Sequence, residues 1–343
     1  MPFLSVIIPA YNCSDSIETL LDSIVIQDWN KEDVEVIICD DNSTDNFMEK
    51  VEPYKDKLDI LYYKTTPREV HCPGNTRLDG WHHCIGEWMT FIDNDDVFEP
   101  NAFNTFKECV DRGETRLVFC KFREWNPYDK VYGNVFNGTT WMHGKFYNVN
   151  WIRNTGIDFK ENLYSHEDLF FNSLCLAILN AQDITYTMPI EDEEHSEIDR
   201  CVYKWVARRD SLSRSFFNEK HFYIEVYFKD YIYAASEPWF MVYQLYSDKT
   251  EFFRNQILAV ILYGYFYMQG AIWRLKDEIL QDNHRYMKDL LERAMSIFNL
   301  TRTELVQLLM SNPELYDKIK SECYNGCGHF VESISIKDYL YRL

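Results

Sequence analysis

The chain has 343 residues, 46% of them hydrophobic, and a formal net charge of −20. That much apolar material suffices for a sizeable core and for two domains, while the acidic balance, with a pI near 4.8, argues against nucleic acid and against a basic patch on anionic lipid. Ten cysteines are scattered without a disulfide framework, and Met1-Pro2 leads straight into an apolar run, so reduced thiols and a cytoplasmic setting are expected.

In chain order, Leu4 to Ile8 is an apolar run stopped by Pro9 and followed by Ala10-Tyr11-Asn12. Asp15 to Gln27 then places Ile17, Leu20, Leu21 and Ile24 at helical spacing, giving strand, loop and amphipathic helix. A second run, Val34 to Cys39, stops at Asp40-Asp41-Asn42-Ser43-Thr44-Asp45, where Ser43 or Asp45 is expected to cap the next helix. Ile60 to Tyr63 reads as a third strand, Asn75 to Cys84 as a helix, and Glu87 to Ile92 as a fourth strand. Alternating strands and helices predict an α/β fold with a mainly parallel sheet and a ligand cleft at the carboxyl ends of its strands.

The fourth strand ends in Phe91-Ile92-Asp93-Asn94-Asp95-Asp96, three carboxylates in four positions. Two carboxylates at about 4 Å repel by about 4 kcal/mol at an effective dielectric near 20, so such a cluster must protonate, splay apart or hold a cation. Its all-oxygen donors favour magnesium, manganese or calcium over zinc. If extension continues to the end of the strand, Asp93 and Asp95 project to one side and are spaced to share an ion. The alternative is a solvated acidic turn.

Ser5 to Asn12, Cys39 to Asp45, Gly74-Asn75-Thr76-Arg77 and Phe91 to Asp96, in that order, resemble the family 2 glycosyltransferases of GT-A fold, and Tyr164-Ser165-His166-Glu167-Asp168-Leu169-Phe170 is similar to that family's Glu-Asp acceptor motif. The likeness extends loosely over Tyr203 to Ser213 and covers roughly residues 3 to 215. Thr76-Arg77-Leu78 departs from the Ala-Arg-Asn of many members. The resemblance implies a nucleotide-sugar donor, a divalent metal (Mn2+ or Mg2+) and inversion at the anomeric carbon. It implies Asp41 as acceptor of a uracil-type ring N–H, with Tyr11 stacked on the base and Pro9 and Asn12 shaping the turn around it. Asp93 is implied at the ribose and metal, Asn94 in donor binding and Asp95 as direct metal ligand, with Asp96 either a second ligand or a cap for the segment after it. Arg77 would neutralise a carboxylate or the diphosphate, and Arg208, Ser211 and Ser213 would lie in a segment returning over that diphosphate. Asp168 is implied as the base and Glu167 as the alternative base or an acceptor-sugar ligand. Without the resemblance, Asp40 and Asp41 read as helix caps, and Glu167 and Asp168 as the polar first turn of a helix.

His195, within the acidic stretch 191–194, is a weaker candidate for a metal shell. Cys323 to His329 looks metal-like but has no second pair to close a zinc site. Near residue 215 the signal changes to aromatic-rich helical periodicity, as in Phe222 to Ile232 and Leu290 to Leu309, so a helical C-terminal region over 216–343 is expected for acceptor binding, oligomerisation or packing. Ile257 to Trp273 has no charged residue, but its glycines, glutamine and tyrosines favour a buried helix over a membrane span. Peripheral membrane contact stays open. Two other functions compete: a haloacid-dehalogenase-like phosphatase, through Asp93-Asn94-Asp95-Asp96-Val97, and a noncatalytic sugar-binding module on the same fold. Neither donor sugar nor acceptor is legible.

Overall fold

The computed structural model describes residues 1–68, 71–191, 200–208, 227–270 and 277–317. The chain separates into two compact units, Met1–Ser211 and Leu212–Leu343.

The first unit is built on a six-stranded sheet. Strands β1 (Leu4–Ala10), β2 (Val34–Asp40), β3 (Asp59–Lys64) and β4 (Trp88–Phe91) run parallel in the order β3-β2-β1-β4. The sheet is completed by β9 (Lys145–Asn148), antiparallel to β4, and β6 (Leu117–Phe119), antiparallel to β9. Every residue of β1 and β2 is buried, as expected of central parallel strands covered on both faces. Alternate residues face opposite layers: Val6, Ile8, Val36 and Ile38 pack with Leu20 and Leu21 of α1 (Ile17–Val25), Phe47 of α2 (Phe47–Val51) and Phe103 and Phe106 of α4 (Ala102–Asp111). On the other face lie α3 (Pro73–His83) and α6 (Glu167–Ala181), where Phe91 meets Tyr147, Phe159 and Phe171 edge to face. The short α5 (Val149–Thr155) follows β9.

A second, four-stranded sheet absent from the sequence expectations runs β5 (Val97–Phe98), β10 (Cys201–Val206), β7 (Lys121–Asn126), β8 (Val131–Phe136). Phe122 of β7 and Val202 and Tyr203 of β10 enter the same core as α1 and α4. This ties β10, distant in sequence, to the end of β4.

The second unit contains α7 (Phe228–Leu245), α8 (Thr250–Gly270), α9 (Asp277–Ile297) and α10 (Arg302–Ser311). Ile232, Ile261, Leu262, Met287, Leu291 and Leu305 belong to its core. The break between α9 and α10 within the periodic stretch 290–309 has a local cause: Thr301 and Glu304 form a reciprocal capping box that starts a new helix. No described helix is long and apolar enough to cross a membrane. The eight described cysteines are all buried and free of disulfides.

Candidate active site

The polar clusters converge at the carboxyl ends of β1, β2 and β4. The loop after β1 is fastened to the loop after β2. Asn12, in the left-handed region at φ 47°, accepts the Thr44 N–H at 2.8 Å, while its own N–H donates to Ser43 Oγ at 2.9 Å. The Ser14 N–H donates to Asp45 at 2.8 Å. Ser43 and Asp45 are thereby used, and α2 begins after Asn46 without a side-chain cap, which corrects the capping expectation for both. Asp40 is structural as well, accepting the Ser43 N–H and the Tyr62 hydroxyl. Asp41 points elsewhere. Its N–H is held by Ala10 O at 2.8 Å, beside the exposed Tyr11, and its carboxylate accepts the Thr65 hydroxyl and lies 3.3 Å from His71 Nδ1. Pro9 O accepts Asn94 Nδ2 at 2.9 Å, joining β1 to the carboxylate run.

That run does not stay extended. β4 ends at Phe91, and the chain turns so that the Asp96 N–H donates to Asp93 O at 3.1 Å. The condition for Asp93 and Asp95 to share a strand face therefore fails, and Asp93 is grouped with Asp96 instead. Among the described residues, Asp93, Asp96 and His143 bring ligand atoms within 4.8 Å of one another. His143 Nε2 lies 3.8 Å from Asp93 Oδ2 and 4.0 Å from Asp96 Oδ2. Asp95 instead lies 3.8 Å from Arg208 Nη1. Asp96 is buried and accepts the Tyr203 hydroxyl and the Val206 N–H from β10. Burial first, then the charges of Asp95 and Asp93, raise its carboxyl well above the usual range. Burial also lowers the His143 imidazole, whose ring stacks on Tyr203 at 4.5 Å.

Arg77 spans the site. The residue is 4% exposed, and its two terminal nitrogens each lie 2.5 Å from a carboxylate, Nη2 on Asp93 and Nη1 on Glu167. Burial opposes the charge on Arg77, but Asp93, Glu167 and Asp168 outweigh it and raise its pKa. Burial likewise opposes the charge on Asp93, yet Arg77 and His143 hold its carboxyl well below the usual range. This buried double pair replaces the surface ion pair that Arg77 alone would suggest.

Glu167 and Asp168 open α6, and α3 brings Arg77 to them because Gly74 lets the two helices touch. A Cβ on Gly74 would stand 2.7 Å from Glu167 Cβ. Overpacking of this kind typically costs about 1–3 kcal/mol, so Gly74→Ala is expected to lower unfolding stability by that amount and to loosen the Arg77–Glu167 pair. Urea unfolding measures it, and an unchanged midpoint would mean the helices separate without cost. Asp168 Oδ1 accepts the Leu169 N–H at 2.7 Å. Burial and then the adjacent Glu167 push its carboxyl up to about 7, against the opposing pull of Arg77 and Lys145.

Of the residues singled out in the sequence, Arg77, Asp93 and Glu167 are brought into contact, with Asp168 beside Glu167, and His143, which the sequence reading did not single out, stands against Asp93 and Asp96. A lone histidine in a loop carries no local pattern. Ser211, Ser213, His195 and the Cys323 to His329 segment lie outside the described residues.

The family model of glycosyl transferase family 2 matches residues 5–182. Poly(ribitol-phosphate) beta-N-acetylglucosaminyltransferase TarS of Staphylococcus aureus (strain MW2) is 30% identical over 196 residues, 53% of this chain and 33% of that protein. A poly(ribitol-phosphate) beta-glucosyltransferase of Bacillus spizizenii is 27% identical over 216 residues, 57% of this chain and 33% of that protein. Each match thus spans about a third of the curated relative's length. The crystal structure of S. aureus TarS 1–349 in complex with UDP-GlcNAc shares the fold, with a TM-score of 0.64 at 19% identity over 97% of this chain and 91% of that one.

Proposed function

This chain belongs to glycosyl transferase family 2, and on that premise we propose that it is a metal-dependent, inverting enzyme that moves a sugar from a UDP-sugar to a hydroxyl of a glycan acceptor. Arg77 is the observation that carries the reading. One buried guanidinium joins the carboxylate run after β4 to the Glu-Asp pair of α6, so a donor and an acceptor base have one cleft between them. The phosphatase alternative falls with the family match. The UDP-GlcNAc bound by the S. aureus relative supports a uridine nucleotide donor.

In this reading Asp41 takes the ring N–H of the base, Tyr11 stacks on it, and Pro9 and Asn12 hold the turn through the loop contacts already described. Asp95 and Asp93 are assigned to a Mn2+ or Mg2+ ion, with Asn94 beside them and Asp96 and His143 completing the donor set. Three of these residues fit such an ion in their geometry: Asp93, Asp96 and His143 bring oxygen and imidazole donors within 4.8 Å of one another, and burial, then the charges of Asp95 and Asp93, raise the Asp96 carboxyl. When bound, the metal supplies Lewis-acid stabilisation of the leaving diphosphate. Arg208, near Asp95, and Ser211 and Ser213 beyond it are assigned to the same diphosphate. Asp168 is the base, because Glu167 is committed to Arg77 and burial has already raised the Asp168 carboxyl to about 7. The second unit is assigned to acceptor binding or self-association.

The test is thermal stabilisation by a panel of nucleotides with and without Mn2+. UDP with Mn2+ should raise the melting temperature more than either alone, and equal shifts from every nucleotide would reject the assignment. Asp41→Ala should weaken UDP more than bare diphosphate with metal, because an unpaired base N–H costs about 1–3 kcal/mol. Calorimetric titration reads the difference, and equal losses for both ligands would remove base recognition from Asp41.

A pH profile tests the base. Asp168 must be ionised to accept a proton, so turnover should rise about tenfold per pH unit on the acid side and level off above about 7. A carboxylate in its ordinary range would put that limb near 4. A flat profile from pH 5 to 8 would exclude Asp168 as the titrating base.

A further inference from the structure

The eight-residue loop 137–144 joins β8 to β9 and delivers His143 to Asp93 and Asp96. Its sequence, Asn137-Gly138-Thr139-Thr140-Trp141-Met142-His143-Gly144, has little that would define one conformation by itself. Besides the Cys120 N–H donated to Gly144 O at 2.8 Å, four hydrogen bonds to its carbonyls come from two side chains withdrawn from water. Asn172 is 0% exposed and sits on α6, whose first residues are Glu167 and Asp168. Its Nδ2 donates to Thr140 O at 2.9 Å and to Trp141 O at 3.1 Å. Its Oδ1 accepts the Tyr147 hydroxyl at 2.7 Å, which fixes the orientation of the amide. Lys145, also 0% exposed, donates from Nζ to Gly138 O at 2.8 Å and to His143 O at 3.4 Å. An amide and an amine are rarely buried this deeply without partners that compensate for the lost water.

Four of the eight loop carbonyls are therefore held by two buried donors. The exit of the loop is equally constrained: Gly144 has φ +68°, and a Cβ there would meet Cys120 O at 2.9 Å. The imidazole at the end of this arrangement is stacked on Tyr203 at 4.5 Å, and the Tyr203 hydroxyl is itself bonded to Asp96.

We infer that Asn172 and Lys145 are positioning residues: reaching loop 137–144 from α6 and β9, they fix it so that His143 stands against the carboxylates of Asp93 and Asp96. Its functional consequence rests on the metal and nucleotide site proposed above. The α6 helix then has two links to the carboxylate run, one through Glu167 and Arg77 and the other through Asn172 and His143. Packing alone would make Asn172 and Lys145 matter for stability but not for the placement of one imidazole.

Two measurements on the full chain decide between these. The first needs no ligand: in protein labelled with 13C-histidine, the His143 ring signal is assigned by its loss in His143→Ala and should be displaced by the stacked Tyr203 ring. Asn172→Ala should move that signal toward the position of an exposed histidine while the others stay in place, and Lys145→Met, which keeps the chain length without the amine, should do the same if Asn172→Ala folds poorly. An unmoved His143 signal in the folded variants would overturn the inference.

The second is a double-mutant cycle on Mn2+–UDP affinity. Groups that orient a ligating side chain typically contribute about 10–100-fold to metal affinity. Asn172→Ala should therefore weaken binding about tenfold or more, and adding it to His143→Ala should weaken it no further. Losses that multiply would show that Asn172 acts by another route. If the wild-type chain bound no Mn2+–UDP, the proposed function would fail, while the histidine signal would still decide the positioning.

Discussion

Asp168→Asn is expected to bind UDP and Mn2+ as the wild type does and to transfer sugar about 10²–10⁴ times more slowly, the usual contribution of a general base. The substitution keeps the size of the side chain and its contact with the Leu169 N–H, but an amide cannot take the acceptor proton. The loss should appear in turnover and not in donor KM. Glu167→Gln is the necessary comparison, because the two residues adjoin and Glu167 is paired with Arg77. Its expected defect is of a different kind, lower stability and weaker organisation of the site, with the acid limb of the pH profile still present but moved to lower pH because the Glu167 charge helps raise the Asp168 carboxyl. An inactive Glu167→Gln beside a near-normal Asp168→Asn would move the base by one residue.

Arg77→Met is expected to be among the most destabilising single substitutions in the first unit. It leaves Asp93 and Glu167 in a largely buried setting without the cation that lies 2.5 Å from each. Removing one partner of a buried ion pair typically costs about 3–5 kcal/mol. Arg77→Lys should recover only part of this, since a single ammonium lacks the forked geometry that reaches two carboxylates on opposite sides. Denaturant unfolding in metal-free buffer reads both variants. Stability of Arg77→Met within about 1 kcal/mol of wild type would mean that the two carboxylates are solvated or protonated, and the description of Arg77 as the link between the two motifs would be wrong.

The parallel half of the fold was legible because its physics is local. Val6 to Ile8 and Val36 to Ile38 are continuous apolar runs since both faces are covered, and Pro9, Asp40 and Asp93 mark where the strands give way to the cleft. The Glu-Asp start of α6 was legible for a similar reason, with carboxylates in the first turn and an apolar run behind them. The second sheet was not. β5 has two residues, and β8 is exposed along its first four, so neither shows a periodic pattern, and β10 acquires its place only by pairing with strands about eighty and a hundred residues earlier.

The same distinction runs through the site. The carboxylate run raised the expectation of a cation, but which carboxylates meet depended on β4 ending at Phe91 and on Tyr203, 107 residues beyond Asp96, whose hydroxyl donates to the Asp96 carboxylate. Ser43 and Asp45 looked like caps because short polar side chains after a strand usually are. Asn12, 31 residues earlier, draws Ser43 into the loop contact instead. Lys145 has no sequence mark at all, being one residue of Lys-Phe-Tyr-Asn, and only its complete burial and its two carbonyl partners set it apart.

Phosphorus NMR of the protein with UDP-sugars and Mg2+, before and after chelation, separates metal-dependent sugar transfer from phosphate release. One donor sugar should be consumed, UDP should be the phosphorus product, and chelation should stop its release. Inorganic phosphate as the product, or UDP release that continues at the same rate without metal, would contradict metal-dependent sugar transfer.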